Sequence, residues 1–355
     1  PKISFCLISR DNEKTIRNTL ESIKNIADEI IVVDTGSKDK TCEIIKEYTD
    51  KLYHFQWIDD FSAARNESVK YAKNDWIFII DTDEVLGKDP KKLISEAISW
   101  ADANGYTAIA CQIINHVQDK VESMNFMERL FRKGLSKTPF IGVIHERLAP
   151  EYQGAKYNLT IDHFGYDQKL NLNHKDEAIR QNMIEKDYQR DTKDLNALRN
   201  LFRFYLDQGS PEKALALLPL DGAEHKELLL IKAEAYADLH KDQEALATLV
   251  PLLQTKNSKW LDLRPYLLYG QLLCRAGRNK EAYTLYKAVF NFRVDDLTRQ
   301  SANLFNFQMY FLSLMQASYL AADNKEYVFL ADWIERLLKN GYYAEQAISL
   351  LRSLA

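Results

Sequence analysis

Apolar strand-like runs alternate with helical patterns over the first 170 residues, and no other feature limits the fold as strongly. The first two runs cover residues 3–8 and 29–33, and each is followed by a helical pattern, at 15–26 and at 41–48. The alternation continues with strand patterns at 51–55, 76–80 and 107–114 and helical patterns at 62–72 and 90–103. This order predicts an α/β domain in which helices pack against a parallel sheet.

After residue 175 only helical patterns remain. Their turns, at 209–211, 240–242 and 277–279, precede the related segments "SPEKALALL", "KDQEALATL" and "RNKEAYTLY". Ala214, Ala245 and Ala282 are equivalent in these segments, and their spacings of 31 and 37 residues average 34, the period of tetratricopeptide hairpins. The sequence therefore predicts an α/β domain over residues 1–172 and an all-α, tetratricopeptide-like domain over residues 173–355.

Small residues support this repeat, because they let the two helices of a hairpin approach closely. Ala233 and Gly270 lie twelve residues before the equivalent alanine in the second and third copies, whereas Phe202 makes the first copy degenerate. Helical patterns at 301–321 and 326–338 are expected to close the stack. A plain α-helical bundle is the alternative.

Composition narrows the functional class. The chain has 355 residues, 46% of them hydrophobic, which is enough for two domains with cores of their own. A net charge of −4 without a long basic block gives no support for nucleic acid or an anionic membrane as a partner. No apolar run approaches the roughly 18 residues of a membrane span, so a soluble cytoplasmic protein is expected. The four cysteines are far apart in sequence, which favours free thiols over disulfides or a zinc site.

An acidic turn follows the most apolar of the predicted strands. In "WIFIIDTDEVL", Asp81, Asp83 and Glu84 surround the small residue Thr82 directly after the buried run. The carboxyl ends of parallel strands line the crevice where open α/β sheets bind ligands. Three carboxylates so close together repel one another unless a cation or hydrogen-bond donors neutralise them, so we expect a metal here. The alternative is a solvated acidic turn.

Polar groups also end the first two strands. Asp34 ends the second strand and opens "DTGSKDKT", where Gly36 permits a tight turn. The first strand ends in "SRDNE", which contains Ser9 and Glu13. Because a carboxylate accepts hydrogen bonds from an imide N–H, Asp34 is a candidate to bind a nucleotide base, with the end of the first strand beside it.

The segments "CLISRDNE", "VVDTGSKDKT", "FSAARN" and "IDTDE", in this order, resemble the nucleotide-sugar half of family-two glycosyltransferases, which have the GT-A fold. The resemblance covers about residues 1 to 170. It implies inverting transfer of a hexose or N-acetylhexosamine from a UDP-sugar, usually with Mn²⁺ or Mg²⁺. It also implies a nucleotide-sugar site in which Asp34 binds the uracil and Asp81 and Asp83 bind the metal. The residues of the nucleotide-sugar site are Ser9, Glu13, Asp34, Arg65, Asp81 and Thr82.

A second cluster lies downstream. Arg129 and Arg132 are suited to hold a diphosphate, or else form a solvated edge, and both interpretations stay open. The pair His145-Glu146 resembles the "HE" of a subset that includes lipopolysaccharide-core transferases and sublancin-type peptide glycosyltransferases, which makes Glu146 the expected general base. His163, in "DHFGY", is expected by the same resemblance to be a further metal ligand.

The helical repeats suggest the acceptor. Sublancin-type enzymes have a similar architecture, so the resemblance implies a protein or peptide acceptor bound by the repeats. The alternatives are a saccharide or lipid-linked glycan acceptor, with repeats that form a homodimer, and a non-catalytic scaffold. The presence of Asp34, Arg65, Asp81 and Asp83 together argues against the scaffold. The sequence leaves the sugar and the acceptor atom open.

Overall fold

A computed structural model describes residues 2–117, 120–165, 177–218, 225–253 and 264–290. The chain divides into two compact units, Pro1–Ala197 and Leu198–Ala355. The predicted helices at 301–321 and 326–338 lie outside the described residues.

The first unit is built on one sheet of eight strands. In chain order its strands are β1 (Ile3–Ser9), β2 (Glu29–Asp34), β3 (Leu52–His54), β4 (Trp76–Ile79), β5 (Glu84–Leu86), β6 (Ala108–Val117), β7 (Lys120–Arg132) and β10 (Gly154–His163). A second sheet consists of two strands, β8 (Phe140–Ile141) and β9 (Arg147–Leu148). The order in the large sheet is β3-β2-β1-β4-β7-β6-β10-β5. Strands β1 to β4 are parallel, as predicted, whereas β7 runs antiparallel to β4 and β6.

Helices cover this sheet and form the core with it. They are α1 (Ile16–Ile23), α2 (Thr41–Lys46), α3 (Phe61–Tyr71) and α4 (Pro90–Asn104). Every residue of β2 and β4 is buried, and the stacked rings of Phe5 and Phe78 lie 4.8 Å apart between β1 and β4. Strands buried on both faces are apolar throughout, which explains why these runs are so visible in the sequence.

A fifth helix, α5 (Glu177–Arg190), also belongs to the first unit. The sequence predicted a domain boundary at residues 172 and 173, before this helix, because the strand patterns end there. The compact unit instead extends to Ala197 and includes α5. Side-chain contacts described below account for this difference.

The described part of the second unit consists of helical hairpins with short turns. They are α6 (Leu195–Asp207) with α7 (Pro211–Ala216), α8 (Lys226–Asp238) with α9 (Asp242–Leu253), and α10 (Arg264–Arg275) with α11 (Asn279–Phe290). The equivalent residues Ala214, Ala245 and Ala282 are fully buried, as the repeat predicts. A Cβ on Gly270 would overlap the Tyr286 ring, so the small residue is needed where α10 meets α11.

No helix among the described residues combines the length and apolar character that crossing a membrane requires. Cys6, Cys42, Cys111 and Cys274 are free thiols, as expected, and Cys6 and Cys111 are buried.

Candidate functional site

The ends of β1 and β2 meet as the sequence predicted. Ser9 pairs with Asp34 in the register of these parallel strands, and the Ser9 hydroxyl donates to Asp34 at 3.3 Å. The backbone N–H groups of Gly36 and Ser37 both donate to Asp34 Oδ2 at 3.0 Å. Burial alone would raise the pKa of Asp34, but the hydrogen bonds from Ser37 and its neighbours lower it. Asp34 is therefore a fixed, ionised acceptor at the carboxyl edge of the sheet.

Two loops beside Asp34 hold each other in place. The Lys38 N–H donates to Asp11 at 2.7 Å, and the Asn12 N–H donates to Thr41 Oγ1 at the same distance. Glu13 accepts from the Lys40 N–H at 3.0 Å, which places it in this loop contact. Glu13 therefore supports the geometry around Asp34 through the loops.

His54 and Cys42 also surround Asp34. One ligand atom from each of the three residues lies within 4.8 Å of the others, a spacing that a metal ion could bridge. Burial raises the pKa of the Cys42 thiol to about 11, so it is protonated near neutral pH. Asp34 already accepts from Ser9, Gly36 and Ser37. These contacts fit a floor for a base better than they fit a metal centre.

Two buried arginines neutralise most of the acidic turn. Arg65, on α3, donates to Asp81 at 2.8 Å, and Arg129, on β7, donates to Asp81 at 2.8 Å and to Glu84 at 2.5 Å. Burial would raise the pKa of Asp81, but Arg129 and Arg65 hold it well below its usual range. Glu84, 1% exposed, has a raised pKa because burial outweighs Arg129. The sequence allowed either a cation or hydrogen-bond donors to neutralise this turn. At Asp81 the neutralising groups are hydrogen-bond donors, the two arginines.

One nitrogen of each arginine remains without a hydrogen-bond partner among the described residues. These atoms, Arg65 Nη1 and Arg129 Nε, are buried. Buried donors without a partner are uncommon in folded proteins. Each guanidinium thus has one hydrogen bond left to make, from a nitrogen that is closed off from solvent.

Asp83, the third carboxylate of the turn, faces a histidine. Its Oδ2 lies 3.6 Å from Nε2 of His163, and His163 Nδ1 makes a hydrogen bond of 2.8 Å with Asn115. Burial lowers the pKa of His163, but Asp83 raises it, and the net shift is upward. A Cβ on Gly165 would overlap both Asp83 and His163, so only glycine fits where the backbone approaches these two side chains.

Glu146 reaches the turn through Arg65. The Arg65 Nε donates to Glu146 Oε1 at 2.5 Å, so one guanidinium connects Glu146 to Asp81. The Glu146 side chain is 13% exposed. It lies between β8 and β9 and directly follows His145, whose φ of 54° is unusual for a residue other than glycine.

The structure separates the two arginines that the sequence treated as a pair. Arg132, whose side chain is 40% exposed, makes an ion pair of 2.6 Å with Asp102 and lies over Trp76, the first residue of β4. The acidic turn follows the opposite end of β4, away from Trp76 and from the Arg132 that pairs with it. Arg132 is therefore the solvated alternative, whereas Arg129 joins the acidic turn. Thr82 is buried within that turn.

Sequence reasoning missed three contributors to this site. Asn115, on β6, orients His163, and Gly165 lets the backbone approach that histidine closely. Glu84 was noted only as a charge, yet it is the buried partner of Arg129. The glycine two residues after the histidine in "DHFGY" was the one visible signal, since the pairing of β6 with β10 cannot be seen in the sequence.

Residues 4–176 match the family model described as glycosyl transferase family 2. The first unit carries a family 2 glycosyltransferase domain. This domain has the GT-A fold predicted from the sequence, and the helical unit follows it.

Curated relatives match this family 2 domain. A TPR repeat-containing protein from Synechococcus elongatus is 32% identical over 175 residues, 46% of this chain and 42% of that protein. The SPbeta prophage-derived glycosyltransferase SunS from Bacillus subtilis is 29% identical over 178 residues, 48% of this chain and 41% of SunS. The chain thus matches about two fifths of the length of these relatives.

Solved structures are more distant. TarS 1–349 from S. aureus, in complex with UDP-GlcNAc, is 16% identical and aligns with a TM-score of 0.39. The alignment covers 82% of this chain and 93% of that structure. A likeness at this level has no bearing on substrate or mechanism.

Proposed function

We propose that the chain is an inverting glycosyltransferase that moves a hexose or N-acetylhexosamine from a UDP-sugar to a side chain of a protein or peptide. One observation carries the proposal: polar groups suited to a base, to a metal-bound diphosphate and to proton transfer lie at or beside the ends of strands in a family 2 domain. These groups are Asp34, the pair Asp83 and His163, and Glu146 beside Arg65.

Asp34 and Arg65 would bind the nucleotide. The Asp34 carboxylate is fixed by backbone N–H groups and lies on the edge of the sheet where open α/β folds bind ligands. It would accept the imide N–H of uracil, with Ser9 beside it and Glu13 holding the neighbouring loop. Arg65 would contact the nucleotide next to Asp81, and Arg129 would balance the charges of Asp81 and Glu84.

Asp83 and His163 would hold Mn²⁺ or Mg²⁺. The Asp83 carboxylate and the His163 imidazole lie 3.6 Å apart, and a divalent ion that also binds a diphosphate would take ligand atoms of these kinds. The ion, when bound, stabilises the charge that develops on the departing diphosphate. Asp81 was expected to be a ligand too, but its two oxygens accept from Arg65 and Arg129. We therefore propose Asp83 as the principal carboxylate ligand.

Glu146 would act as general base. The acceptor O–H or S–H loses its proton to the Glu146 carboxylate while the acceptor atom attacks the anomeric carbon. A new bond to that carbon forms as the bond to the diphosphate oxygen breaks on the opposite face, and UDP leaves. Arg65 holds Glu146 through Oε1, so the second oxygen would take the proton.

The helical unit would bind the acceptor. Stacked hairpins present an extended surface, which suits a polypeptide better than a small sugar. A saccharide or lipid-linked glycan would instead be bound by the first unit, with the repeats forming a homodimer.

A donor screen tests this function. The full chain is incubated with UDP-glucose, UDP-galactose or UDP-GlcNAc and with Mn²⁺, Mg²⁺ or EDTA, and released UDP is measured. We expect metal-dependent release from at least one donor, and mass spectrometry then searches candidate peptides and glycans for the added sugar. Absence of both UDP binding and UDP release under every condition would refute the proposal and favour a scaffold.

A further inference from the structure

The helix α5 contacts loops of the site although it lies outside the family match. The match ends at residue 176 and α5 begins at Glu177. Lys186 Nζ donates to the Ile58 carbonyl at 3.2 Å, and Arg190 lies 3.7 Å from Asp60, the N-cap of α3. The helix that carries Arg65 thus begins beside α5.

Asp187 makes the most buried of these contacts. It is 7% exposed, and its Oδ1 accepts from the Val143 N–H at 2.7 Å. The Val143 carbonyl in turn accepts from the Phe61 N–H at 2.9 Å, at the start of α3. Both backbone polar groups of Val143 are therefore held, one by α5 and the other by α3.

This contact fixes the segment that presents Glu146. Gly142 has a φ of 97°, which requires glycine, and a Cβ there would lie 3.5 Å from Glu146 Cα and 3.7 Å from Asp187 Oδ2. On the other side of Glu146, Arg147 makes an ion pair of 2.6 Å with Asp194, just beyond α5. Carboxylates from residues 187–194 thus hold the chain on both sides of Glu146.

We propose that Asp187 is a positioning residue for the general base. It acts as a hydrogen-bond acceptor for the Val143 N–H, and so it sets where the 142–147 segment holds the Glu146 carboxylate. The inference rests on the proposed function, because a positioning role for Asp187 requires that Glu146 is the general base. A displacement of about 1 Å in a catalytic group costs as much as about 100-fold in rate, so the positioning contact has a measurable consequence.

Three variants of the full chain test this role. Asp187→Ala removes the acceptor, Asp187→Asn keeps an acceptor oxygen without the charge, and Glu185→Ala is the matched control. Glu185 lies on the same helix, where it accepts from Gln181 at 2.8 Å on the exposed side. Each protein is measured for UDP affinity with Mn²⁺, for the kcat and KM of UDP-GlcNAc hydrolysis, and for deuterium uptake in the 142–147 segment without substrate.

We expect Asp187→Ala to keep the parental UDP affinity and KM within twofold, to lose about 10- to 100-fold in kcat, and to take up deuterium faster in the 142–147 segment. Asp187→Asn should have a kcat and a deuterium uptake in the 142–147 segment close to those of the parent. Glu185→Ala should match the parent in every measurement. An Asp187→Ala protein with parental kcat and protection would overturn the inference. So would an Asp187→Asn protein that is as slow as Glu146→Gln, because the charge would then matter rather than the acceptor.

The controls separate this inference from the proposed function. If Asp187→Ala does not fold, Asp187→Asn still tests the inference. Faster deuterium uptake in the 142–147 segment of a folded Asp187→Asn protein would refute the role of the acceptor oxygen. If the parent neither binds UDP nor hydrolyses a UDP-sugar, the proposed function fails. If the parent is active and Asp187→Ala equals it, only the positioning role fails.

Discussion

Asp81 and Asp83 lie two residues apart in one turn, yet their surroundings differ in kind. Asp81 accepts from two buried arginines, whereas Asp83 faces only His163 among the described residues. A carboxylate that two buried cations already balance contributes to stability, whereas a carboxylate that faces a histidine is better able to bind a cation. The two residues should therefore respond differently to the same substitution.

Asp83→Ala should abolish turnover and metal-dependent UDP binding while the protein keeps its melting temperature within a few degrees. The substitution removes a ligand but leaves both arginine pairs intact. Calorimetric titration of UDP with and without Mn²⁺ measures the effect. Asp102→Ala is the matched control, because it removes a carboxylate from the exposed pair with Arg132. Full activity of Asp83→Ala would contradict the metal assignment.

Asp81→Ala should instead lower the free energy of unfolding, by about 2–3 kcal/mol. Arg65 and Arg129 would each lose one charged hydrogen bond and keep one carboxylate, Glu146 and Glu84 respectively. The loss should therefore stay below the roughly 3–5 kcal/mol of a buried pair broken completely. Urea denaturation provides the measurement, and a change below about 1 kcal/mol, typical of an exposed pair, would show that the arginines do not depend on Asp81.

Glu146→Gln should retain UDP binding and lose transfer by roughly 100-fold or more, because an amide cannot accept the acceptor's proton. The amide oxygen still accepts from Arg65, so the contact between the two residues survives. Single-turnover transfer and UDP affinity are measured together. Normal transfer by this variant would place the base elsewhere.

At the scale of elements, burial decides which strands the sequence reveals. Strands β1, β2 and β4 are covered on both faces and form continuous apolar runs, so each was predicted to within about two residues. Strand β10 alternates exposed and buried positions over "GAKYNLTIDH", and β7 carries charged residues, so neither stood out. Strands β7 and β10 could therefore not be derived from apolar runs, whereas β6, between them in the sheet, was predicted.

The same contrast applies to the site. Asp34 and the acidic turn were predictable because the ends of parallel strands share one edge of a sheet. The partners of Asp81 and Glu84 were not predictable, because Arg129 reaches them only through the pairing of β7 with β4. The role of α5 depends on contacts across more than forty residues, such as Asp187 with Val143, which a local pattern cannot show.

Gly270→Ala should destabilise the helical unit by about 1–3 kcal/mol, although alanine favours helices by about 1 kcal/mol over glycine. The added methyl group would overlap the Tyr286 ring, which is fully buried. Thermal denaturation gives the sign of the change. In a Tyr286→Ala background the ring is absent, so the same substitution should become stabilising, and a penalty that persists there would contradict this packing.

At the scale of the whole molecule, the chemistry and the repeats occupy different units. Each residue that we assign to the site lies within Pro1–Ala197, and the tetratricopeptide-like hairpins that carry the repeat lie in Leu198–Ala355, apart from the first three residues of α6. Each unit has its own buried cluster of apolar side chains. The division allows donor chemistry and acceptor recognition to be tested separately.

A protein ending at Ala197 should bind UDP and hydrolyse the donor like the full chain, but should not modify a protein acceptor. It keeps α5, and with it the contacts of Asp187 and Asp194 on both sides of Glu146. It lacks the hairpins whose stacked surface we assign to the acceptor. Donor hydrolysis and transfer are measured in parallel on both proteins, with the acceptor found in the donor screen.

A third protein ending at residue 175 is the control, since it loses α5 and should hydrolyse donor more slowly. If the protein ending at Ala197 still transferred sugar to a polypeptide at the full rate, the repeats would serve association of the chain, and a glycan acceptor bound by the first unit would become the better hypothesis.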